Sequence, residues 1–187
     1  EDAIYFSKRV TRAVPDGGPI EAHTDLVKKL DYECELAVVL GKDARDVPAG
    51  QTRDYIFGYT ILNDVSARDV QTAHKQWYFG KSLDGFTPIG PCIVTADAFA
   101  DYPPRLGIRS FVNGEKRQDS NTALQIFDID HVIAELSQGM TMKAGTIIAT
   151  GTPAGVGMGM DPPQFLKPGD VVRCEIEGIG TLTNPVK

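Results

Sequence analysis

The chain has little of what marks several common protein classes. Cysteine occurs three times, at Cys34, Cys92 and Cys174, widely spaced and without a Cys-x-x-C pair. Neither a disulfide framework nor a thiolate zinc site is indicated, and reduced, mostly buried thiols are expected. Long hydrophobic runs are missing as well. The longest, "LAVVL", is far short of a bilayer span, and no basic segment leading into an apolar stretch marks a signal peptide. Positive charge is not in excess: 19 Lys and Arg stand against 25 Asp and Glu, a net charge of -6, so the average surface repels a nucleic-acid backbone. These absences point to a soluble, cytoplasmic protein whose partners are small molecules or proteins. An initiating methionine is also lacking. The chain opens on Glu1 and "AIYFSKRVTRAV" reads at once as strand-like, so further residues are expected upstream.

What is present fits one globular domain over residues 1–187, with 42% hydrophobic and 24% charged residues. Short segments rich in β-branched and aromatic residues, bounded by Gly, Pro, Asn or Asp, read as strands: "ECELAVVLG", "YIFGYTILN", "PIGPCIVTA", "GIRSFVNGEKR", "GTIIATG" and "DVVRCEIEGIGTLTN". Asn113-Gly114 predicts a type I′ hairpin turn. One clear helix interrupts the strands in "DIDHVIAELSQGM", where Ile129, Val132, Ile133 and Leu136 share a face, Asp130 can cap the start and Gly139 suits the stop. A second, shorter helix is expected near Ser66. "MKAGTIIATG" and "LKPGDVVRCE" each run from a Lys-x-Gly turn into a strand, an echo too short for an internal repeat.

The stretch "LDYECELAVVLG" carries the first chemical signal. Alternation along a strand places Asp31, Glu33, Glu35, Ala37 and Val39 on one face, with Glu33 and Glu35 side by side about 7 Å apart at the edge of an apolar run. Two such carboxylates repel each other unless something positive sits between them. A solvated acidic face and a bound divalent cation both meet that requirement. Asn63-Asp64 at the end of "YIFGYTILND" adds a third carboxylate where a strand meets a loop. Glu33, Glu35 and Asp64 would form an all-oxygen set suited to Mg²⁺ or Mn²⁺ rather than Zn²⁺. Asn-Asp is also ordinary turn chemistry, and spacing leaves the choice open. "TGTPAGVGMGM" lacks the Lys-Ser/Thr of a P-loop and runs into Asp161-Pro162 instead of a helix, which excludes a dinucleotide fingerprint. It reads as a glycine-permitted turn in which Thr152 and nearby amides can serve as oxyanion or carboxylate donors.

Taken together, "DYECELAVVLG", "GYTILNDVSARDVQ", "GKSLDGFTPIGP" and "IIATGTPAGVG" resemble the fumarylacetoacetate hydrolase family, with the likeness running from about Asp31 to the closing "IGTLTNPV". The resemblance implies an α+β fold, a β-rich mixed-sheet roll with few helices, usually in a homodimer. It implies Mg²⁺ or Mn²⁺ at Glu33, Glu35 and Asp64, and substrate or water-shell contacts from Arg68, Gln71, Lys81 and Thr152. The implied substrates are 2-oxo or 1,3-dioxo acids. Such an acid can chelate a metal through a carboxylate and the oxo oxygen, and the ion then stabilises an enolate.

Hydrolytic cleavage of an acylpyruvate-like carbon–carbon bond is the first expectation. Decarboxylation of oxaloacetate or an oxo-dicarboxylate, and double-bond isomerisation in aromatic breakdown, are alternatives, as is a non-catalytic domain that keeps the metal cup. Lys81 is expected to act on the chemical step from a polar, Gly-rich loop whose backbone stays outside the core, so that Lys81→Met folds normally. The family's acid/base His and Glu lie on a segment upstream of the first strand, before the point where this chain begins. Among His23, His74 and His131, His74 is the one candidate for proton transfer. Lys8, in "YFSKRV", departs from the family's Lys-Pro-rich form and carries little weight.

Overall fold

The computed structural model describes residues 2–187. Its elements run in the order β1 (Leu30–Asp31), β2 (Cys34–Leu40), β3 (Ile56–Asn63), β4 (Ser66–Ala67), α1 (Arg68–His74), α2 (Tyr78–Lys81), β5 (Ile89–Thr95), β6 (Gly107–Val112), β7 (Glu115–Asn121), α3 (Ile129–Leu136), β8 (Ile147–Ala149), β9 (Val171–Ile176) and β10 (Gly180–Pro185). The strands form a β5-β3-β2-β8 sheet, a β10-β9-β6-β7 sheet and the small β1-β4 pair. Every pairing between these strands is antiparallel. Parallel pairing occurs as the isolated bridges Val14–Pro88 and Ile20–Val186. The β-rich, helix-poor roll expected from the sequence is the fold observed. No helix among the described residues is long and apolar enough to cross a membrane.

Alternation explains how the two large sheets meet. Cys34, Leu36, Val38 and Leu40 of β2 join one buried cluster with Ile108 and Val112 of β6 and Val172, Cys174 and Ile176 of β9. The opposite face of β2 is buried too, so the whole strand reads as the apolar run its sequence promised. The Asn113-Gly114 turn adopts positive φ at both residues, 53° and 84°, the geometry a two-residue hairpin needs between right-twisted strands. The two Lys-x-Gly segments close matching turns, with Thr146 N–H donating to Lys143 C=O and Asp170 N–H to Lys167 C=O.

Helix α3 corrects one detail of the sequence reading. Its N-cap is Asp128, whose carboxylate accepts from the His131 N–H at 2.8 Å. Asp130 instead accepts from the Gly50 N–H and the Thr52 hydroxyl. Both aspartates precede the apolar face, and only the loop running back from Gly50 separates their roles. Asp128→Ala should cost about 1 kcal/mol of stability, read as a lowered urea midpoint with unchanged slope. An unchanged midpoint would remove the cap assignment.

Candidate metal and substrate site

The cross-strand register brings the three acids together. Cys34 of β2 pairs with Asn63 of β3, and one residue further the Asp64 N–H donates to the Glu33 C=O at 2.8 Å. Glu33 and Asp64 therefore face each other across the ladder, with Glu35 two residues along on the same side. One carboxylate oxygen from each lies within 4.8 Å of the others, and all three residues are buried. Asp31 departs from the expected face. The strand breaks at Tyr32 and Glu33, and Asp31 pairs with Ser66 in the other small sheet. Its carboxylate accepts from the Gly157 and Met158 amides at 2.7 and 3.0 Å and from Arg68 Nε at 2.9 Å.

Three cations answer this acid. Lys81 Nζ bridges Glu33 and Asp64 at 2.7 and 2.5 Å. Arg68 spans Asp31 and Glu33, its Nη1 lying 2.6 Å from Glu33. Lys8, on the extended segment that crosses the cup, reaches Asp64 at 2.6 Å. Burial opposes the charge on Asp64, but Lys8 and Lys81 outweigh it and hold its carboxyl below the ordinary range. Burial likewise opposes the charge on Lys81, and Asp64 and Glu33 more than offset it, raising its pKa.

Glu35 is the exception. It accepts from the Gly151 N–H at 2.8 Å, and burial, with Asp64 and Glu33 adding repulsion, pushes its carboxyl well above the usual range. A buried carboxylate held by an amide alone, beside two others with converging oxygens, suits a hard divalent cation, and the donor set is the all-oxygen kind Mg²⁺ and Mn²⁺ take.

Glu33 and Glu35 lie at the floor of a cleft of about 740 Å³, which Arg68, Gln71, Lys81 and Thr152 also line, while Asp64 is buried beside them. Gln71 lies 3.4 Å from Arg68 Nη1. The Thr152 hydroxyl donates to the Cys34 C=O at 3.0 Å and accepts from Gln118 Nε2 at 2.8 Å. The amides of Gly151, Gly157 and Met158 hold Glu35 and Asp31, so the carboxylates bound by the glycine turn are the protein's own.

The structure alters three expectations. Lys81 is the last residue of a short helix and is 3% exposed, not carried on a polar loop outside the core. Gly80 makes this possible, because a Cβ there would lie 2.7 Å from the Gln71 nitrogen of α1. His74 is exposed at the end of α1, edge-on to Phe79, and none of the three histidines lines the cleft. Lys8, given little weight from sequence, touches the cup; Phe6 packs edge-on against Trp77 and anchors the segment. Sequence reasoning missed Gln118 altogether. It is fully buried, accepts from the Cys34 N–H and the Ser110 hydroxyl, and donates to Thr152 and the Pro153 C=O. A lone glutamine in a polar strand offers no signal for that role.

Comparison with known proteins places this geometry in context. The family described as fumarylacetoacetate (FAA) hydrolase C-terminal matches residues 1–187. Oxaloacetate tautomerase YisK of Bacillus subtilis is 45% identical over 186 residues, covering 100% of this chain and 62% of that protein. An uncharacterized protein of Staphylococcus epidermidis is 47% identical over 183 residues, 97% of this chain and 60% of the relative, so the chain spans about three-fifths of the length of these relatives. Among solved structures, a fumarylacetoacetate hydrolase from Exiguobacterium antarcticum superposes with a TM-score of 0.97 at 49% identity, covering 100% of this chain and 67% of that one. A 2-hydroxyhepta-2,4-diene-1,7-dioate isomerase from Mycobacterium marinum gives 0.88 at 42%, covering 100% and 69%.

The bridging position of Lys81 makes its removal a test of charge balance. In chelator, Lys81→Met leaves Glu33 and Asp64 facing each other and should lose about 3 kcal/mol of stability. Excess Mn²⁺ should restore most of the loss by binding the folded state. Coincident melting of variant and parent in chelator would show that the bridge stabilises nothing.

Proposed function

As the chain belongs to the fumarylacetoacetate hydrolase family, we propose that it is a divalent-metal-dependent enzyme that interconverts the keto and enol forms of a short 2-oxo acid. The observation that carries this reading is the convergence of Glu33, Glu35 and Asp64 oxygens within 4.8 Å, with Glu33 and Glu35 lining a cleft. Mg²⁺ or Mn²⁺ held there would accept the carboxylate and oxo oxygens of the substrate and offset the negative charge that develops when a proton leaves C3.

The chain's own residues supply the rest. Lys81 Nζ, kept cationic by Glu33 and Asp64, would stabilise charge growing on the oxo oxygen. Arg68 orients Glu33 through its Nη1 while its Nε holds Asp31. Gln71 stands beside Arg68 as an amide donor toward substrate. For Thr152 to bind a substrate carboxylate, its hydroxyl would exchange the Cys34 C=O for the ligand. Tautomerisation asks least of such a site, since only a proton moves, and two relatives in the comparison carry tautomerase and isomerase names.

Carbon–carbon hydrolysis of an acylpyruvate is a second reading, favoured by the 0.97 TM-score to a protein named fumarylacetoacetate hydrolase. It would use the same enolate as leaving group, with water attacking the acyl carbon.

The test is the loss of enol-oxaloacetate absorbance with the protein in Mg²⁺ or Mn²⁺, in chelator, and as Glu35→Ala. Metal-dependent acceleration in the parent is expected. By calorimetry, Glu35→Ala should bind Mn²⁺ at least tenfold more weakly, and equal affinity would sink the metal site. At saturating metal, Lys81→Met should lower kcat roughly a hundredfold; near-normal kcat removes its assigned role. Pyruvate released from acetylpyruvate faster than enol-oxaloacetate is ketonised would favour hydrolysis.

A further inference from the structure

Gln118 lies behind the cleft, not in its lining. Strands β6 and β7 pair Ser110 with Gln118 and Phe111 with Lys116, so Arg117 is an extra residue in β7 and Gln118 takes the inward face that Ser110 shares. Both side chains are fully buried. The glycine turn is pressed onto this strand: a Cβ at Gly155 would lie 2.2 Å from the Arg117 carbonyl oxygen and 3.2 Å from the Gln118 Cα. Every bonding position of the Gln118 amide is taken. Its Oε1 accepts from the Cys34 N–H at 3.1 Å and the Ser110 hydroxyl at 2.8 Å, and its Nε2 donates to the Thr152 hydroxyl and the Pro153 C=O, both at 2.8 Å. A backbone N–H can only donate and a carbonyl can only accept, so the amide cannot be turned over.

That orientation settles what Thr152 can do. Its hydroxyl has a single proton, and because Gln118 is the donor in their bond, the proton is left to go elsewhere: to the Cys34 C=O at 3.0 Å, or to an anion that offers a charge-assisted bond. We propose that Gln118 is a positioning residue that keeps the Thr152 hydroxyl available as a donor, so that anion affinity at the cleft is set from β7, behind the site. The inference rests on the reading of Thr152 as a contact for the substrate carboxylate and names what controls it. Gln118→Glu keeps the shape of the side chain and both accepting bonds. The introduced carboxyl has at most one proton for two neighbours, and the Pro153 C=O, which can only accept, takes it; Thr152 then donates inward and is lost to the ligand.

Oxamate tests this without turnover, because it keeps vicinal carboxylate and carbonyl oxygens and does not react. Calorimetry in saturating Mn²⁺ would compare the parent with Thr152→Val, Gln118→Glu, their double variant and Gln118→Met. Thr152→Val and Gln118→Glu should each weaken oxamate about tenfold, the double variant no further, and Mn²⁺ affinity should be unchanged. Gln118→Met removes the brace but captures no proton, so it should melt lowest of the single variants yet bind oxamate better than Gln118→Glu. A bracing role alone predicts the opposite order. Should Gln118→Met not fold, the cycle of Thr152→Val and Gln118→Glu decides alone. Additive losses in the double variant, parent-like oxamate binding by Gln118→Glu, or tighter binding by Gln118→Glu than by Gln118→Met would overturn the inference while leaving the metal site standing. Parent-like binding by Thr152→Val would remove the Thr152 contact and this inference together, and failure of oxamate to bind the parent in Mn²⁺ would remove the site reading as well.

Discussion

Four carboxylates, those of Asp31, Glu33, Glu35 and Asp64, are withdrawn from water in one neighbourhood, and much of the surrounding structure offsets their charge. Burying even one unpaired carboxylate costs several kcal/mol, and like charges at this spacing add to the cost. Arg68, Lys81 and Lys8 supply three positive charges from three separate parts of the chain. The glycine turn adds amides directed at Asp31 and Glu35. Glu35 is left with an amide and no cation, which gives the cup its remaining appetite for positive charge.

This balance ties distant elements to one another. Arg68 opens α1 and clamps Asp31, which holds the Gly157 and Met158 amides, so the helix, the small β1-β4 pair and the glycine turn share one set of hydrogen bonds. Gln118 braces the other side by bonding the Cys34 N–H while holding Thr152 and Pro153. Cys34 lies between Glu33 and Glu35, so a shift of β7 is felt at the acids. Rotamer freedom is thereby removed from the carboxylates before any ligand arrives, the condition under which electrostatic stabilisation costs least at the moment of reaction.

The cleft above is built on a different principle. Glu33, Glu35, Arg68 and Lys81 make its floor charged, while the rest of its lining mixes apolar side chains such as Ile4, Leu124 and Val132 with polar ones such as Ser120, Asn121 and Gln125. A head group can be fixed by geometry and charge at the floor, while the remainder of a ligand meets a mixed lining beyond it.

Much of the fold was legible because it depends on local periodicity. The apolar alternation of β2, the Asn113-Gly114 turn and the 3.6-residue stripe of α3 are all visible in short windows and appear where expected. The spacing of Glu33 and Glu35 likewise pointed to a shared face, although Glu33 lies just outside β2 and keeps its place through the bond from the Asp64 N–H to its C=O. What tertiary structure alone decided was partnership. Asp31 left the acidic face because the strand breaks after it, and Lys81 is buried because Gly80 lets α2 close on α1. Lys8 reaches Asp64 because a segment without strand or helix is folded across the cup, and Gln118 matters through bonds to residues 84, 8, 34 and 35 positions away. Such contacts follow from tertiary packing and from where each buried charge finds its opposite, and for most of them no short window of the sequence contains both members of the pair.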